Sequence, residues 1–404
     1  MASAAAAVED SIQELREVNR LTYLKPDNGA LIDKRTMKSY NFSSSAYAAG
    51  QTAQCIINSG GDAVWGPTSY LRFEFTKDAG TIGTGSMLNF IKSVRLTHRS
   101  GEVLEYIQNY NVLGKLMIGY SVDLQTAIKV TDLLGVPDDA GTYIRCIPMW
   151  LLAGVFAEQT QYCPPGMLAG AKLEIELESN AIAFATAGAL SAVKLSIVLD
   201  SASVYDSVTR QLMDEQADVG RSGLQFSYST WFSSQAPFAA TSINFDVQQS
   251  ASITQMATAV IRPSANLAAG ADSFLFDDAL LSVQWRLGSQ YFPQQALKLT
   301  ADEQVEAYLT TLTAWDGAPM QYAGSGASGK GAGANFATFA ADSANYAQTM
   351  EKSSTGLQLT GEATNNARIL NFEATKAARN DTVTVFLKYL RVANLMGDNV
   401  VVDR

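Results

Sequence analysis

Hydrophobic and polar residues alternate with a period of two over most of this chain, and that pattern predicts strands. Leu71, Phe73 and Phe75 alternate with Arg72, Glu74 and Thr76, and Leu173, Ile175 and Leu177 alternate with Glu174, Glu176 and Glu178. Val193, Leu195, Ile197 and Leu199 continue the pattern. In the second half it returns at Leu224, Phe226 and Tyr228, at Ile243, Phe245 and Val247, at Val283, Trp285 and Leu287, and at Val383, Val385, Leu387 and Tyr389. Strict alternation buries one face and solvates the other, as in antiparallel sheets stacked into a sandwich. Helical spacing is confined to short stretches. Ser11-x-x-Glu14 can form a capping box, and Val8, Ile12, Leu15 and Val18 recur at helical spacing, predicting an amphipathic helix over 9–20. On this pattern, packing on its own domain and binding a partner are equally good uses for that helix. A second helix is predicted over 301–314, with a capping box at Thr300-x-x-Glu303 and Val305, Tyr308, Leu309 and Leu312 on one face; Asp316-Gly317 and Pro319 stop it. The alternating strand–helix order of a parallel α/β sheet is missing.

One block of elements occurs twice. Ser93 to Leu96 begins a strand, Gly101 turns it, Val103 to Ile107 answers, and a helix-like run follows over Asn111–Tyr120. In the second half Ser282 to Leu287 begins a strand, Gly288 turns it, Gln290 to Leu297 answers, and the 301–314 helix follows. At 404 residues the chain is long for one core and comfortable for two. The expected organisation is an N-terminal helical arm over 1–35, a first β unit over 36–206, a polar linker over 207–221 and a second β unit over 222–404. Such duplication points to an architectural protein more than to a catalyst.

Composition narrows the partners. Hydrophobic residues make up 47% and charged residues 17%, so an ordered globular protein is expected. The formal net charge is −10 and no run of five Lys or Arg occurs, which disfavours direct nucleic-acid binding, since that needs a concentrated positive face. The N-terminus lacks the basic and apolar regions of a secretory signal, and no stretch of 18 apolar residues occurs. Cys55, Cys146 and Cys163 form no CxxC pair; buried reduced thiols are expected, with one disulfide plus a free thiol left open.

Candidate chemistry is sparse. Gly324-x-x-x-x-Gly329-Lys330 imitates a phosphate-binding loop, but Gly331 stands where Ser or Thr must hold magnesium, and no apolar strand precedes it. The same stretch, with Gly324, Gly326, Gly329, Lys330 and Gly331, reads instead as an exposed loop. His98 is the sole histidine and has no Cys, Asp or Glu at metal or triad spacing, so a structural role is expected. The acidic pairs Asp138-Asp139, Asp277-Asp278 and Asp302-Glu303 lack calcium-loop spacing. Trp285 lies in phase with Val283 and Leu287, predicting core packing. No catalytic residue, metal ligand or cofactor site is assigned.

Short motifs carry a family resemblance. Ser69-Tyr70-Leu71-Arg72-Phe73, Gly85-Ser86-Met87-Leu88-Asn89-Phe90-Ile91, Arg99-Ser100-Gly101-Glu102 and Asn109-Tyr110-Asn111 resemble the first domain of double jelly-roll major capsid proteins, most similar to those of polinton-like viruses and virophages. The resemblance is continuous over 69–120 and diffuse elsewhere. It implies an all-β fold of two tandem jelly-roll β-sandwiches with short helices, and a non-enzymatic subunit of the virion. It further implies a homotrimer that forms a pseudo-hexameric capsomer tiling an icosahedral capsid, with penton and minor capsid proteins as partners and room for an internal membrane beneath the shell. Under it the glycine-rich loop would form an outward tower, and the 9–20 helix, through Ile12, Leu15 and Val18, would lie inward on partners. A minor capsid or vertex protein, or a two-sandwich carbohydrate-binding module, are the alternative readings; a hydrolase has no positive support.

Overall fold

The computed structural model describes residues 32–82, 86–121, 132–157, 161–184, 186–204, 224–249, 251–263, 280–299, 304–316, 345–350, 362–364, 368–396 and 399–403. The helix expected over 9–20 with Ile12, Leu15 and Val18, the linker 207–221, and the segment bearing Gly324, Gly326, Gly329, Lys330 and Gly331 lie outside them.

The first half of the chain supplies β1 (Ile32–Asn41), β2 (Thr52–Asn58), β3 (Ala63–Lys77), β4 (Ile91–Thr97), β5 (Val103–Gln108), β6 (Gly141–Pro148), β7 (Ala169–Leu177) and β8 (Leu190–Val204). They form two antiparallel sheets, β1-β8-β3-β6 and β2-β7-β4-β5. The second half supplies β9 (Leu224–Phe238), β10 (Ser242–Val247), β11 (Ala251–Pro263), β12 (Leu280–Leu287), β13 (Gln290–Lys298), β14 (Asn345–Thr349), β15 (Glu362–Thr364), β16 (Leu370–Lys376), β17 (Asp381–Met396) and β18 (Asn399–Asp403). Here β9 lies beside β17, then β11 and β14, while β10-β16-β12-β13 form the opposing sheet. With the short strands β15 and β18 set aside, the strands of each half pair in the same order: first, eighth, third, sixth, and second, seventh, fourth, fifth. Two interleaved four-stranded sheets with this order make a jelly roll, and the chain contains it twice. The repeated hairpin turns on corresponding glycines, Gly101 at φ +90° and Gly288 at φ +62°, a conformation that penalises any Cβ.

Alternation sets which face goes inward. In β3, Leu71, Phe73 and Phe75 are wholly buried, and Phe73, Phe75, Phe90 and Phe184 form a chain of ring contacts at 5.2–5.7 Å. The outward row of the same strand carries Arg72 and Glu74, paired with each other at 3.1 Å, and Glu74 also pairs with Lys194 at 3.0 Å. Such exposed pairs contribute little, whereas burying each large apolar side chain is worth about 1.5–3 kcal/mol, so the inner row decides the register. In the second sandwich Trp285 is buried against Phe372, ring centroids 4.8 Å apart, in the core position its phase predicts.

Several details depart from the sequence pattern. After β5 the chain forms α1 (Tyr110–Leu116) and then a wider five-residue turn over Met117–Ser121, where one helix was expected. After β13 comes α2 (Gln304–Asp316), turned partly away from its expected face: Tyr308 and Leu312 pack against the cores as expected and Ala307, Thr311, Ala314 and Trp315 are buried, whereas Val305 is 47% and Leu309 37% exposed. Small side chains at 307 and 311 let α2 approach β14 closely, and the Ala347 amide donates to Thr311 Oγ1 at 3.3 Å. His98 is buried in the β4–β5 turn, its Nδ1 2.8 Å from Ser100 Oγ. All three cysteines are free; Cys55 and Cys163 are buried and Cys146 half-buried.

Candidate functional site

The sheet containing β9, β17, β11 and β14 is buried on both faces. Ala257, Ala259 and Ile261 of β11, with Val383, Val385 and Leu387 of β17, close the second sandwich's own core. Met256, Val260, Phe386, Phe226, Tyr228 and Trp231 turn the other way and join the core of the first sandwich in one continuous apolar cluster. Trp315 of α2 enters the same cluster, 5.5 Å from the Trp231 ring and 5.9 Å from that of Tyr120. The seam between the sandwiches is therefore built like an interior, and large apolar interfaces of this kind hold units as one body.

Polar groups give the seam its register. β5 is an edge strand of its own sheet, so backbone carbonyls along it need donors from elsewhere. Side chains of the second sandwich supply them. Tyr228 Oη donates to the Leu104 carbonyl at 2.6 Å, Ser233 Oγ to Gln108 at 2.9 Å, and Arg391 Nη1 to Val103 and Leu104 at 3.0 and 2.7 Å. Glu105, in the middle of β5, accepts at Oε1 from Thr230 Oγ1 at 2.6 Å and from the Gly154 amide at 2.9 Å. Gly154 has no substitute here: a Cβ at this position would stand 1.8 Å from the Ser229 carbonyl oxygen.

Charge at the seam is costly. Burial pushes the Glu105 carboxyl up to about 7, opposed by its bonds from Thr230 and the 154–155 amides and by the positive charge of Arg391. Further along, burial and repulsion from Arg262 hold the Lys115 amine of α1 well below its ordinary value. Burial likewise pushes the Arg262 guanidinium of β11 down to about 10, with Glu178 opposing the shift. Sequence reasoning found none of these residues as a group. Phe226 and Tyr228 alternate as any strand does, and nothing in the alternation says which of two cores receives them.

The other candidate residues are not drawn together. Asp138 and Asp139 are exposed in a loop, and Asp277, Asp278, Asp302 and Glu303 lie outside the described residues. Among the described residues no group of three or more His, Cys, Asp or Glu side chains is placed to hold a metal ion, and no helix is long and apolar enough to cross a membrane. Trp231, Trp285 and Trp315 are buried, and Trp65 and Trp150 are half-buried.

No protein-family model matches the chain, and no curated protein resembles it significantly in sequence. Solved structures do. VP54 of PBCV-1, as fitted into a reconstruction of the virophage Sputnik, aligns over 95% of this chain and 99% of its own at 11% identity, with a TM-score of 0.65. The Faustovirus major capsid protein aligns over 92% of each chain at 9% identity and TM-score 0.60. The mavirus major capsid protein covers 94% of this chain and 92% of its own at 13% identity and TM-score 0.55. The fold is the double jelly roll of viral major capsid proteins. Near-complete coverage in both directions means that the double jelly roll here has both its sandwiches. Identities this low establish the architecture alone.

Proposed function

We propose that this chain is a major capsid protein of a virion, a non-enzymatic subunit that forms homotrimeric, pseudo-hexameric capsomers tiling an icosahedral shell. One observation carries the reading: the seam is directional. The first sandwich engages the second through β5 and the groups around it, and it does so on one face of the sheet that holds β9 and β17. The counterpart of β5 in the second sandwich is β13, and it faces outward along most of its length, with Tyr291 43% exposed. Val305 and Leu309 of α2 are exposed beside it in the chain. A head-to-tail contact that is used once within the chain and left open at its far end can be repeated between copies, and such heterologous contacts close into a ring when the rotation between copies returns to the start. Three copies would give a ring of six sandwiches. The architecture shared with viral major capsid proteins supports the same role.

On this reading the units span 36–206 and 222–404, and contacts between capsomers fall on polar outer faces. One example is the Lys92–Glu176 and Lys172–Glu174 pairs of β4 and β7, both at 2.7 Å. Penton and minor capsid proteins are the further partners, met by the arm through Ile12, Leu15 and Val18, and the glycine-rich loop at Gly324–Gly331 points outward. The test is the mass of the purified chain in solution together with negative-stain images. Trimers with a six-lobed outline are expected; a monomer at all concentrations, with no such particles, would remove the proposal.

A further inference from the structure

The Glu105 carboxyl sits where the two sandwiches meet, and its surroundings are few enough to enumerate. The residue is 1% exposed. Oε1 takes Thr230 from β9 and the Gly154 amide from the turn over 154–156, and the neighbouring Val155 amide also favours the charged form. Oε2 is buried and has no hydrogen-bond partner among the described residues. From β17 the charged group facing it is Arg391, 6% exposed and already committed through Nη1 to the Val103 and Leu104 carbonyls. From β9 the titratable neighbour is Tyr228, whose hydroxyl donates to the Leu104 carbonyl and is backed by Tyr389 and Cys163. From α1 it is Tyr110, whose hydroxyl donates to the Leu151 carbonyl at 3.1 Å. Across the ladder, β4 presents Leu96. Tyr228 and Tyr110 are thus spent on backbone carbonyls, Arg391 is committed only through Nη1, and Oε2 is left without a donor among the described residues.

We propose that Glu105 is a proton-operated latch on the seam: neutral, it lets the two sandwiches close fully, and ionised, it weakens their contact. A neutral carboxyl leaves Oε2 with a modest hydrogen-bonding deficit. A carboxylate places a full charge in the same buried position, and the charge of Arg391 offsets that burial only in part. When the seam parts, water reaches Glu105 and the group regains its ordinary acidity. The closed seam therefore binds the proton more tightly than the open one, so its advantage is complete at acidic pH. That advantage is lost as pH rises from the ordinary carboxylate range through about 7.

The experiment is hydrogen–deuterium exchange on the full-length protein from pH 5 to pH 8, corrected for intrinsic exchange. Peptides covering 103–108 and 224–233 report the seam, and those covering 370–376 serve as reference. In the unmodified protein the opening constant of the seam peptides is expected to rise by roughly fifty-fold across this range, with the reference unchanged. In E105Q, whose amide oxygen can still accept from Thr230 and Gly154, that rise should vanish. T230V keeps the carboxyl and removes one donor to its charged form, so its transition should move to higher pH. Equal pH dependence in E105Q and the parent, a flat parent profile, or an unmoved T230V midpoint would each overturn the latch. The T230V result decides alone if E105Q does not fold.

Discussion

Two lysines show how the interior of this protein accommodates charge. Lys77 continues the inward row of Leu71, Phe73 and Phe75, and it is 1% exposed. Its ammonium is held by the carbonyls of Gly80 at 2.9 Å and Asp138 at 2.6 Å, so hydrogen bonds alone stabilise it. Lys376 is equally buried and is met by a carboxylate, with Asp381 Oδ2 3.1 Å away and the Phe238 ring beneath it at 4.5 Å. Arg379 Nε completes the cluster at 2.6 Å from Asp381 Oδ1. Removing one member of a buried pair strands the other, at a cost of about 3–5 kcal/mol, whereas replacing both by apolar groups is far milder. D381N is therefore expected to lower unfolding stability by about that amount, and K376M/D381L to lose less than D381N alone. Denaturant titration of the three proteins checks the order, and a double variant weaker than D381N would contradict it. The inward position of Lys77 could be read from strand parity; its carbonyl cage could not, because Asp138 lies 61 residues away.

At the scale of elements, the strands were readable and the helix face only in part. Every alternating run named from the sequence forms a strand or part of one; most bury a single face, whereas the run in β17 is buried on both. For α2 the apolar residues Val305, Tyr308, Leu309 and Leu312 suggested the inner side; Tyr308 and Leu312 do pack inward, but the helix is wedged between β14 and the seam and leaves Val305 and Leu309 outside. There Ala307 and Thr311 permit close approach and Trp315 supplies the bulk. Side-chain size outranked hydrophobicity in choosing the face. Two opposite outcomes follow. A307L overfills a site that is 0% exposed and should cost about 1–3 kcal/mol. V305K/L309K should leave the thermal midpoint of the isolated chain within a degree or two, since surface changes are usually within about 0.5 kcal/mol. If α2 borders the contact between copies, the same double change should shift the mass distribution from trimer to monomer. An intact trimer with both lysines in place would move that contact elsewhere on the second sandwich.

At the scale of the whole molecule, the strand order and the seam are what the amino-acid pattern concealed. Periodicity identifies strands but not their partners, and β9 is joined to β5 by contacts 124 and 125 residues apart. The duplication was visible because the hairpin and helix block is local in both halves. The docking of the halves was hidden because it is not. The consequence for stability is direct. Parting the sandwiches exposes Phe226, Tyr228, Trp231, Met256, Val260 and Phe386 together and strands the donors that cap β5. Fully burying a large apolar side chain is worth about 1.5–3 kcal/mol, so six of them outweigh what the tether between the halves contributes by proximity. A protease site inserted within 207–221 and cut under native conditions should therefore leave two fragments that co-elute as one particle and separate only in denaturant. Cutting should lower the thermal midpoint modestly, by turning an intramolecular contact into one that depends on concentration. Fragments that drift apart at micromolar concentration without denaturant would mean that the linker, and not the seam, holds the two jelly rolls in register.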